Sequence, residues 1–285
     1  MGQQNITEFD GLDLELFFCT EILKLNSLHY GYWEDSRKLA DRGRKLTLDC
    51  LRGAQEKYTD VLIEAIPNNV KSILDVGCGI GDVSRALSKL EYDVTAISPD
   101  SNHAKYFENH LSQLAFLQTK FEDLDIDDKF DLILMIESQN YFPTEIGFRQ
   151  CTTLLSRKGY LLVSGMFRKD SESDFIEVPN TIEDYEKTAE KHGLLLIENV
   201  DITQNILPTI DFIYESMEGY VEPSVKMLSQ FISSIAPIKS WFIKVFFRKQ
   251  INKTLQIYSY YRRRTDPLFF EKNIVYARLL FQYKV

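Results

Sequence analysis

The sequence predicts an α/β protein built on a doubly wound parallel sheet. Three observations support this prediction. An apolar run at 72–76 ends in a glycine-rich turn at 77–81, and helical character resumes at 82–90. A second apolar run follows at 92–98, and four more alternate with amphipathic stretches before residue 200. Because parallel strands are joined by crossovers that are usually helices, this alternation indicates a sheet with helices on both faces.

Length and composition indicate an acidic globular protein. With 285 residues, 44% hydrophobic and 26% charged, the chain is long enough to bury a substantial core. Its formal net charge of -9 argues against nucleic acid as a partner, because phosphate binding needs a basic face. No apolar run approaches the ~20 residues that cross a bilayer, and the polar N-terminus lacks the pattern of a signal peptide. We therefore expect a cytoplasmic protein without a metal, since no paired metal-type spacing joins Cys19, Cys50, Cys78 and Cys151.

An aromatic segment lies among the helices predicted for residues 1–70. Apolar residues at helical spacing predict a helix within 1–25 and one or two more within 39–65, the last of which ends before Pro67. Between them, residues 28–33 read Leu-His-Tyr-Gly-Tyr-Trp. Three aromatic side chains around a glycine are typical of core packing as well as of ligand binding. The residues alone leave both roles open.

The turn at 75–81 reads Asp-Val-Gly-Cys-Gly-Ile-Gly and has the features of a ligand-binding turn. Its glycines let the backbone adopt positive φ and approach a ligand closely, while the next helix directs free N–H groups at that ligand. The dinucleotide fingerprint needs two residues between its second and third glycines, whereas only Ile80 separates Gly79 from Gly81. The spacing therefore disfavours NAD. A glycine-rich turn without a ligand stays as the alternative.

This turn resembles the first motif of class I S-adenosylmethionine (SAM) methyltransferases, which is an acidic residue, any residue, Gly-Cys-Gly, any residue and Gly. The aromatic segment resembles the N-terminal lid of their small-molecule members, which act on tocopherol, sarcosine-dimethylglycine and deoxysugars. The resemblance covers 28–202 and the last strand. It implies a Rossmann-like sheet of seven strands with the last one antiparallel, SAM as cofactor and S-adenosylhomocysteine as product. The cofactor-binding candidates that it implies here are Tyr30, Asp75, Gly77, Cys78, Gly79 and Gly81.

The end of the second predicted strand carries the ribose contact in this family. Residues 95–103 read Thr-Ala-Ile-Ser-Pro-Asp-Ser-Asn-His and resemble the Thr-Gly-Ile-Ser...Gln segment of the small-molecule enzymes. The resemblance therefore places Ser98 where many other members have an acid, with Pro99 beside it and His103 in place of the glutamine. Asp100 follows Pro99 ahead of an expected helix, so it is also predicted to cap that helix.

The loop after the third predicted strand, at 114–118, carries the adenine contact in this family. Lys120 occupies the position of the usual acid. The resemblance then leaves the Phe121 backbone and the Glu122 side chain as the adenine-binding candidates. A solvated loop is the alternative for Glu122.

The loop after the fourth predicted strand, at 130–136, is expected to hold the catalytic groups. It lies at the carboxyl edge of the sheet, where open α/β folds bind ligands. Glu137 is counted with the cofactor-binding residues, and several relatives have a histidine base at the position of Asn140 or Tyr141, where this chain has none. We take Asn140 and Tyr141 as the catalytic candidates, with Tyr141 orienting the acceptor, acting as a weak base or merely packing. A missing base favours acidic phenols, amines and stabilised carbon nucleophiles over alcohols. The acceptor-binding candidates are Tyr32, Trp33, Phe142 and Met166.

The remaining core elements follow from apolar periodicity. The first of these helices is predicted to end at Arg157-Lys158-Gly159. The resemblance makes the last strand antiparallel. The predicted ranges are helix 144–155, strand 160–166, helix 181–192, strand 194–200 and strand 274–281.

A long connection at 203–270 separates the last two strands and is rich in aromatic residues, among them Trp241 and Phe242. Because a connection of this length needs structure of its own, we predict two or three helices that form a cap over the acceptor. Its second half, which includes Lys244 and the run 262–264, is basic. An anionic substrate, an acidic membrane surface and a solvated helical face each explain this charge.

We divide the chain into N-terminal helices and lid at 1–70, a SAM-binding core at 71–202, an inserted cap at 203–270 and a final core strand at 271–285. The function implied is that of a SAM-dependent methyltransferase for a small apolar or aromatic metabolite of the natural-product type. Carbon, oxygen and nitrogen acceptors stay open, as do peripheral membrane contact and homo-oligomerisation. The alternatives are a lipid or isoprenoid-diphosphate methyltransferase and a non-catalytic SAM-binding protein.

Overall fold

The computed structural model describes residues 8–9, 12–35, 47–170, 172, 178–234 and 245–284. The strands of its main sheet are β1 (Ser72–Val76), β2 (Asp93–Ile97), β3 (Ala115–Leu117), β4 (Phe130–Ile136), β5 (Leu155–Arg168), β6 (Leu194–Asp201) and β7 (Ile274–Tyr283). They form one seven-stranded sheet in the order β3-β2-β1-β4-β5-β7-β6. The pairs up to β5 are parallel, and β7 runs antiparallel to both β5 and β6. The predicted doubly wound sheet with an antiparallel last strand is confirmed.

Helices alternate with the strands through the core and then follow one another between β6 and β7. Short elements precede or interrupt them: a two-residue hairpin (Glu8–Phe9 with Leu12–Asp13), helical turns at Leu14–Phe17, Phe18–Ile22 and Met217–Val221, and a 3₁₀ turn at Phe121–Asp123. The longer helices are α1 (Leu48–Glu64), α2 (Asp82–Lys89), α3 (Ser101–His110), α4 (Thr144–Leu154), α5 (Ile182–Lys191), α6 (Thr203–Ser216), α7 (Glu222–Ser234), α8 (Arg248–Arg264) and α9 (Pro267–Asn273).

The central strands are apolar on both faces because helices cover both faces of the sheet. Successive residues of a strand point to opposite sides. Leu74 and Ile133 therefore pack on the side of α4, where Phe148 is fully buried. Ile73 packs on the other side, against Val83 of α2. This two-sided core fixes the carboxyl ends of β1, β2 and β4 along one edge of the sheet.

One predicted boundary is wrong. Residues 157–159 were expected to end a helix, but they lie within β5. The pairing explains the difference: Leu155 already pairs with Phe130 of β4, and Tyr160 pairs with Leu132, with a shift in register between them. The turn-like residues 157–159 are therefore an irregularity within a strand, which a local pattern does not distinguish from a helix end.

The N-terminal predictions fall partly outside the described residues. Helical turns at Leu14–Phe17 and Phe18–Ile22 occupy part of the helix expected within 1–25. Residues 36–46 lie outside the described ranges, and α1 begins after them, where the Thr47 side chain accepts a hydrogen bond from the backbone N–H of Cys50. This N-cap explains why the helix begins at Leu48.

The connection between β6 and β7 contains α6 to α9, where two or three helices were expected. Ile206 and Ile210 of α6 are buried against Leu62 of α1. The cap residues Trp241, Phe242 and Lys244 lie outside the described residues. Within the described part of the chain, no helix is both long and apolar enough to span a bilayer.

Candidate functional site

The glycine turn between β1 and α2 adopts the backbone that its sequence predicts. Gly77, Gly79 and Gly81 have φ of +73°, +55° and +72°. A Cβ on Gly77 would lie 2.6 Å from the Ser138 Cβ, so this glycine is also needed for packing. A Cβ on Gly79 would meet only the Leu28 side chain, at 3.5 Å. The backbone at Gly79 is therefore the part of the turn that a ligand can approach.

Asp75, at the end of β1, lies inside the turn. Its carboxylate accepts a hydrogen bond from the Ser84 Oγ at 2.5 Å, and the side chain is 2% exposed. Burial raises its pKa to about 7. The neighbouring Cys78 is also buried, and burial raises the pKa of its thiol well above the usual range. Both side chains therefore support the turn, and the thiol is not activated as a nucleophile.

Asp82, the first residue of α2, is an acid that no motif in the sequence singles out. It accepts hydrogen bonds from the Ser27 Oγ at 2.6 Å and from the His29 Nε2 at 2.9 Å. The His29 Nδ1 lies 2.8 Å from the Tyr30 carbonyl oxygen, which can only accept. Both imidazole nitrogens therefore donate, and His29 is the charged partner of a buried ion pair.

The pKa values of this pair agree with that geometry. Burial opposes the charge on His29, but the charge and hydrogen bond of Asp82 outweigh it and raise its pKa above 6.5. Burial likewise opposes the charge on Asp82, but His29 and Ser27 lower its pKa below 3.8. An acid in the first turn of a helix is common for reasons of the helix dipole alone, which is why its place in the sequence does not signal this role.

The lid segment, defined as residues 27–33, is held closed by α1 and α6. The Gly31 N–H donates to the Thr209 Oγ1, and the Trp33 N–H donates to a carbonyl oxygen of α6. The Gln55 amide of α1 donates to the carbonyls of residues 27 and 29. The Trp33 indole N–H also donates to Thr209 at 2.8 Å, and its ring is buried in a cluster with Leu25 and residues of α1. Trp33 therefore anchors the lid segment.

Glu137, the first residue after β4, begins a buried polar chain. Its carboxylate accepts from the Tyr276 hydroxyl at 2.6 Å and from the Tyr30 N–H at 3.3 Å. The Tyr58 hydroxyl lies 2.9 Å from that of Tyr276 and donates to the Ser164 Oγ at 2.7 Å. Burial raises the pKa of Glu137. This chain joins the lid segment to β4, β5, β7 and α1.

The acceptor side of the site lies where β5 ends. The Asn140 amide donates to the Met166 carbonyl at 3.1 Å, while its Oδ1 is buried and has no hydrogen-bond partner within the described part of the chain. Tyr141 is 75% exposed. The Arg264 Nη2 of α8 lies 4.0 Å from the Met166 Sδ. The structure thus brings together Met166, the catalytic candidates and an arginine that the sequence presents only as part of a basic run.

The ribose and adenine candidates lie beyond β2 and β3. The Ser98 Oγ lies 2.9 Å from the His103 Nδ1, so these two candidates adjoin. Pro99 lies between Ser98 and α3. The predicted cap is confirmed, because the Asp100 carboxylate accepts from the N–H of Asn102 at 2.7 Å.

Phe142, an acceptor-binding candidate, lies in the main core. Its ring packs against that of Phe121, with centroids 5.2 Å apart, and both belong to the main core. A Cβ on Gly147 of α4 would lie 2.4 Å from the Phe142 ring. Phe142 therefore fills the space under α4. Glu122 and Tyr32 are half-buried, and Tyr32 packs beside the cluster that holds Tyr276.

The donor set suits an organic cofactor with a charged tail. Backbone groups of the turn, the Ser98 hydroxyl and the Glu137 carboxylate lie along the carboxyl edge of the sheet. In the described ranges, with their gaps at 36–46 and 235–244, no group of three His, Cys, Asp or Glu side chains could hold a metal ion. The backbone groups of the turn, the hydroxyl and the carboxylate together fit a nucleoside-type ligand.

Comparison with known proteins connects the part of the chain that carries the glycine turn with one family. Residues 73–159, from β1 into β5, match a family model described as a methyltransferase domain. The chain is 26% identical over 165 residues to the ubiquinone biosynthesis O-methyltransferase of Bradyrhizobium diazoefficiens, with 53% of this chain and 62% of the relative covered. The chain thus spans about three fifths of the length of that curated relative.

Solved structures resemble the chain over nearly its whole length. Geranyl diphosphate C-methyltransferase from Streptomyces coelicolor has a TM-score of 0.66 at 12% identity, with 99% of this chain and 100% of that chain covered. The [4+2]-cyclase SpnF has a TM-score of 0.65 at 16% identity, covering 95% and 94%. A methyltransferase and a cyclase share this fold, so its chemistry has to be argued from the residues of the site.

Proposed function

We propose that this chain is a class I SAM-dependent methyltransferase of the small-molecule type, and that it methylates a small apolar or aromatic metabolite bound between the lid segment and α8. The observation that carries the proposal is the glycine turn at 77–81. Its three positive φ angles, and the open approach to Gly79, lie at the carboxyl edge where β1 meets β4. That position is the topological switch point, at which open α/β sheets bind ligands.

Three loops at the carboxyl edge of the sheet would each bind one part of the cofactor. We propose that the turn holds the methionine part, that Ser98 and His103 hold the ribose, and that Phe121 and Glu122 border the adenine. The adjacency of Ser98 and His103, at 2.9 Å, supports the second assignment. Tyr30 and Glu137 would close the site over the methionine part, because the Tyr30 N–H donates to the Glu137 carboxylate.

The reaction would depend on positioning more than on proton transfer. When bound, SAM supplies a methyl group that is activated by its sulfonium. Holding the acceptor in line with that methyl can lower the barrier by up to ~7–11 kcal/mol in well-oriented systems. Glu137 is already engaged by Tyr276, so Asn140 and Tyr141 would orient the acceptor. The lid segment, closed over the bound cofactor, would exclude water from the site.

The domain boundaries proposed are those given above, with 203–270 as the acceptor cap. We also propose a cytoplasmic protein that acts on a free metabolite. The buried polar chain from Glu137 to Ser164 supports treating β7 and the core as one unit, since it crosses between them.

Calorimetry with S-adenosylhomocysteine tests the cofactor assignment. Gly79→Ala adds a Cβ in ordinary contact with Leu28 but at a φ of +55°, a strain of about 1–3 kcal/mol. We expect it to weaken binding at least tenfold. Gly53→Ala in α1, where nothing lies within 4 Å, is the matched control and should not change binding.

Label transfer tests the chemistry. The protein should transfer label from methyl-labelled SAM to a small molecule of a host extract, and Gly79→Ala should reduce that transfer. Absence of heat with both SAM and S-adenosylhomocysteine would refute the proposed function. Binding without transfer would support the alternative of a non-catalytic SAM-binding protein.

A further inference from the structure

We propose that Arg264 selects the acceptor by binding a carboxylate group on it. The inference rests on the proposed function, because it concerns the acceptor side of the same site. Arg264 differs in its contacts from the other two arginines of the run at 262–264, because Arg262 pairs with Glu218 and Arg263 stacks on Phe269.

Elements from four parts of the chain converge on the Arg264 guanidinium. Arg264 is the last residue of α8, and its Nη1 donates to the Tyr260 hydroxyl at 2.5 Å. Its Nη2 lies 4.0 Å from the Met166 Sδ at the end of β5. Burial opposes its charge, but Tyr30, Tyr260 and Tyr141 around it raise its pKa. A permanently charged fork of donors therefore faces the lid segment, the loop after β4 and the end of β5.

The charge of Arg264 has no carboxylate partner among the described residues. Its neighbour Arg262 forms an ion pair with Glu218 at 2.9 Å, whereas no such pair joins Arg264 to a described acid. Glu137 is close enough for the charge of Arg264 to lower its pKa, but that carboxylate is engaged by Tyr276. A half-buried cation is costly without an anion, so an anionic group of the ligand is the natural partner.

A second polar atom is left unsatisfied at the same place. The Asn140 amide N–H donates to the Met166 carbonyl, and its Oδ1 is buried without a hydrogen-bond partner among the residues that the structure describes. Met166 thus contacts both Asn140 and Arg264. An acceptor with a hydroxyl or amine near its carboxylate would satisfy both residues.

The charge distribution favours a carboxylate over a diphosphate. One guanidinium matches one carboxylate in a bidentate pair, whereas a diphosphate needs several cations or a metal. The nearest upstream cation of α8 outside the 262–264 run, Lys253, lies eleven residues away, about 16 Å along the helix. In the described ranges there is also no cluster that could hold a metal. Glu137 would repel a multiply charged group.

The test compares acids with their methyl esters on the protein saturated with S-adenosylhomocysteine. The probes are salicylate, 4-hydroxycinnamate and lactate, each titrated calorimetrically against its ester. We expect at least one acid to bind roughly tenfold to a hundredfold more tightly than its ester, which is the range for a charged hydrogen-bonded pair. Arg264→Gln should reduce that ratio to within about twofold, and Arg264→Lys should restore part of it.

The control is Arg263→Gln, which removes the same charge from an exposed position where the guanidinium stacks on Phe269. It should keep the preference for the acid. Both variants should bind S-adenosylhomocysteine as the wild type does. If the wild type binds that product but shows no preference for any acid, or if Arg264→Gln keeps the preference, the inference fails while the proposed function stands. Tighter binding of inorganic pyrophosphate than of every acid, lost in Arg264→Gln, would overturn the choice of carboxylate.

Discussion

Replacing Asp82 by Asn should destabilise the protein and loosen the lid segment. The side chains of His29 and Asp82 are 6% and 12% exposed, so their ion pair is removed from water. Breaking a buried pair by changing one partner costs about 3–5 kcal/mol, because the other charge stays buried. Asn keeps one acceptor for Ser27 or His29, so we expect the lower end of this range. At a pH below the pKa of His29, Asp82→Asn should lower the free energy of unfolding by about 3 kcal/mol.

The dependence on pH provides the sign of the effect. The pKa of His29 is raised above 6.5, so its contribution to stability is fully present below that value and is lost as pH rises through the folded pKa. The pKa of Asp82 is lowered below 3.8, so its contribution is present above that value and is lost as pH falls through the folded pKa. The ion pair therefore contributes most to stability at a pH between the folded pKa values of Asp82 and His29. At a pH above the folded pKa of His29, the neutral imidazole still donates to Asn, and the cost of Asp82→Asn should fall to about 1 kcal/mol.

Urea unfolding of wild type and Asp82→Asn, at about pH 5.5 and about pH 9, measures these free energies. Proton NMR should also show the pKa of His29 falling below 6.5 in the variant. Glu183→Gln breaks the exposed pair with Lys187 and should change nothing measurable. A cost below about 1 kcal/mol at the lower pH, or the same cost at both pH values, would refute the buried ion pair.

Two further substitutions test the core and the polar chain. Tyr276→Phe removes the hydroxyl that donates to Glu137, and by urea unfolding it should cost about 1–3 kcal/mol. Burial already raises the pKa of Glu137, and the Tyr276 hydroxyl stabilises its charged form, so the substitution removes most stability when the carboxylate is charged. The loss of unfolding free energy should therefore be larger at about pH 8 than at about pH 5. An equal loss at both pH values would contradict this. Phe148→Ala should cost about 3–5 kcal/mol, whereas Phe231→Ala, at a side chain that is 63% exposed, should stay within about 0.5 kcal/mol, and similar values for the two would contradict the assignment of the core.

Local patterns predicted the parts of the fold that local physics determines. The central strands were evident because a strand covered on both faces has a continuous apolar run, as residues 132–136 of β4 do. The glycine turn was evident because positive φ selects glycine. The Asp100 cap followed from its place before α3. By contrast, the start of β5 depends on the pairing of Leu155 with Phe130, which no window around residue 155 contains.

The site was predicted less completely, because its contacts join distant residues. The pair of His29 and Asp82 spans 53 positions, and the bond between Glu137 and Tyr276 spans 139. Phe142 was expected near the acceptor because it follows β4. The sequence does not show that its ring packs against Phe121 beneath α4. Arg264 looked like one cation of three until the structure separated it from its paired neighbours.

The position of β7 constrains how the protein is made. This strand lies in the sheet between β5 and β6 but is synthesised after both, and it brings Tyr276 to Glu137. In a nascent chain whose β7 is still inside the ribosome, the Tyr276 hydroxyl cannot yet donate to the Glu137 carboxylate. Binding of the proposed cofactor should therefore begin only after β7 has left the ribosome, and its onset would report that synthesis has passed this strand.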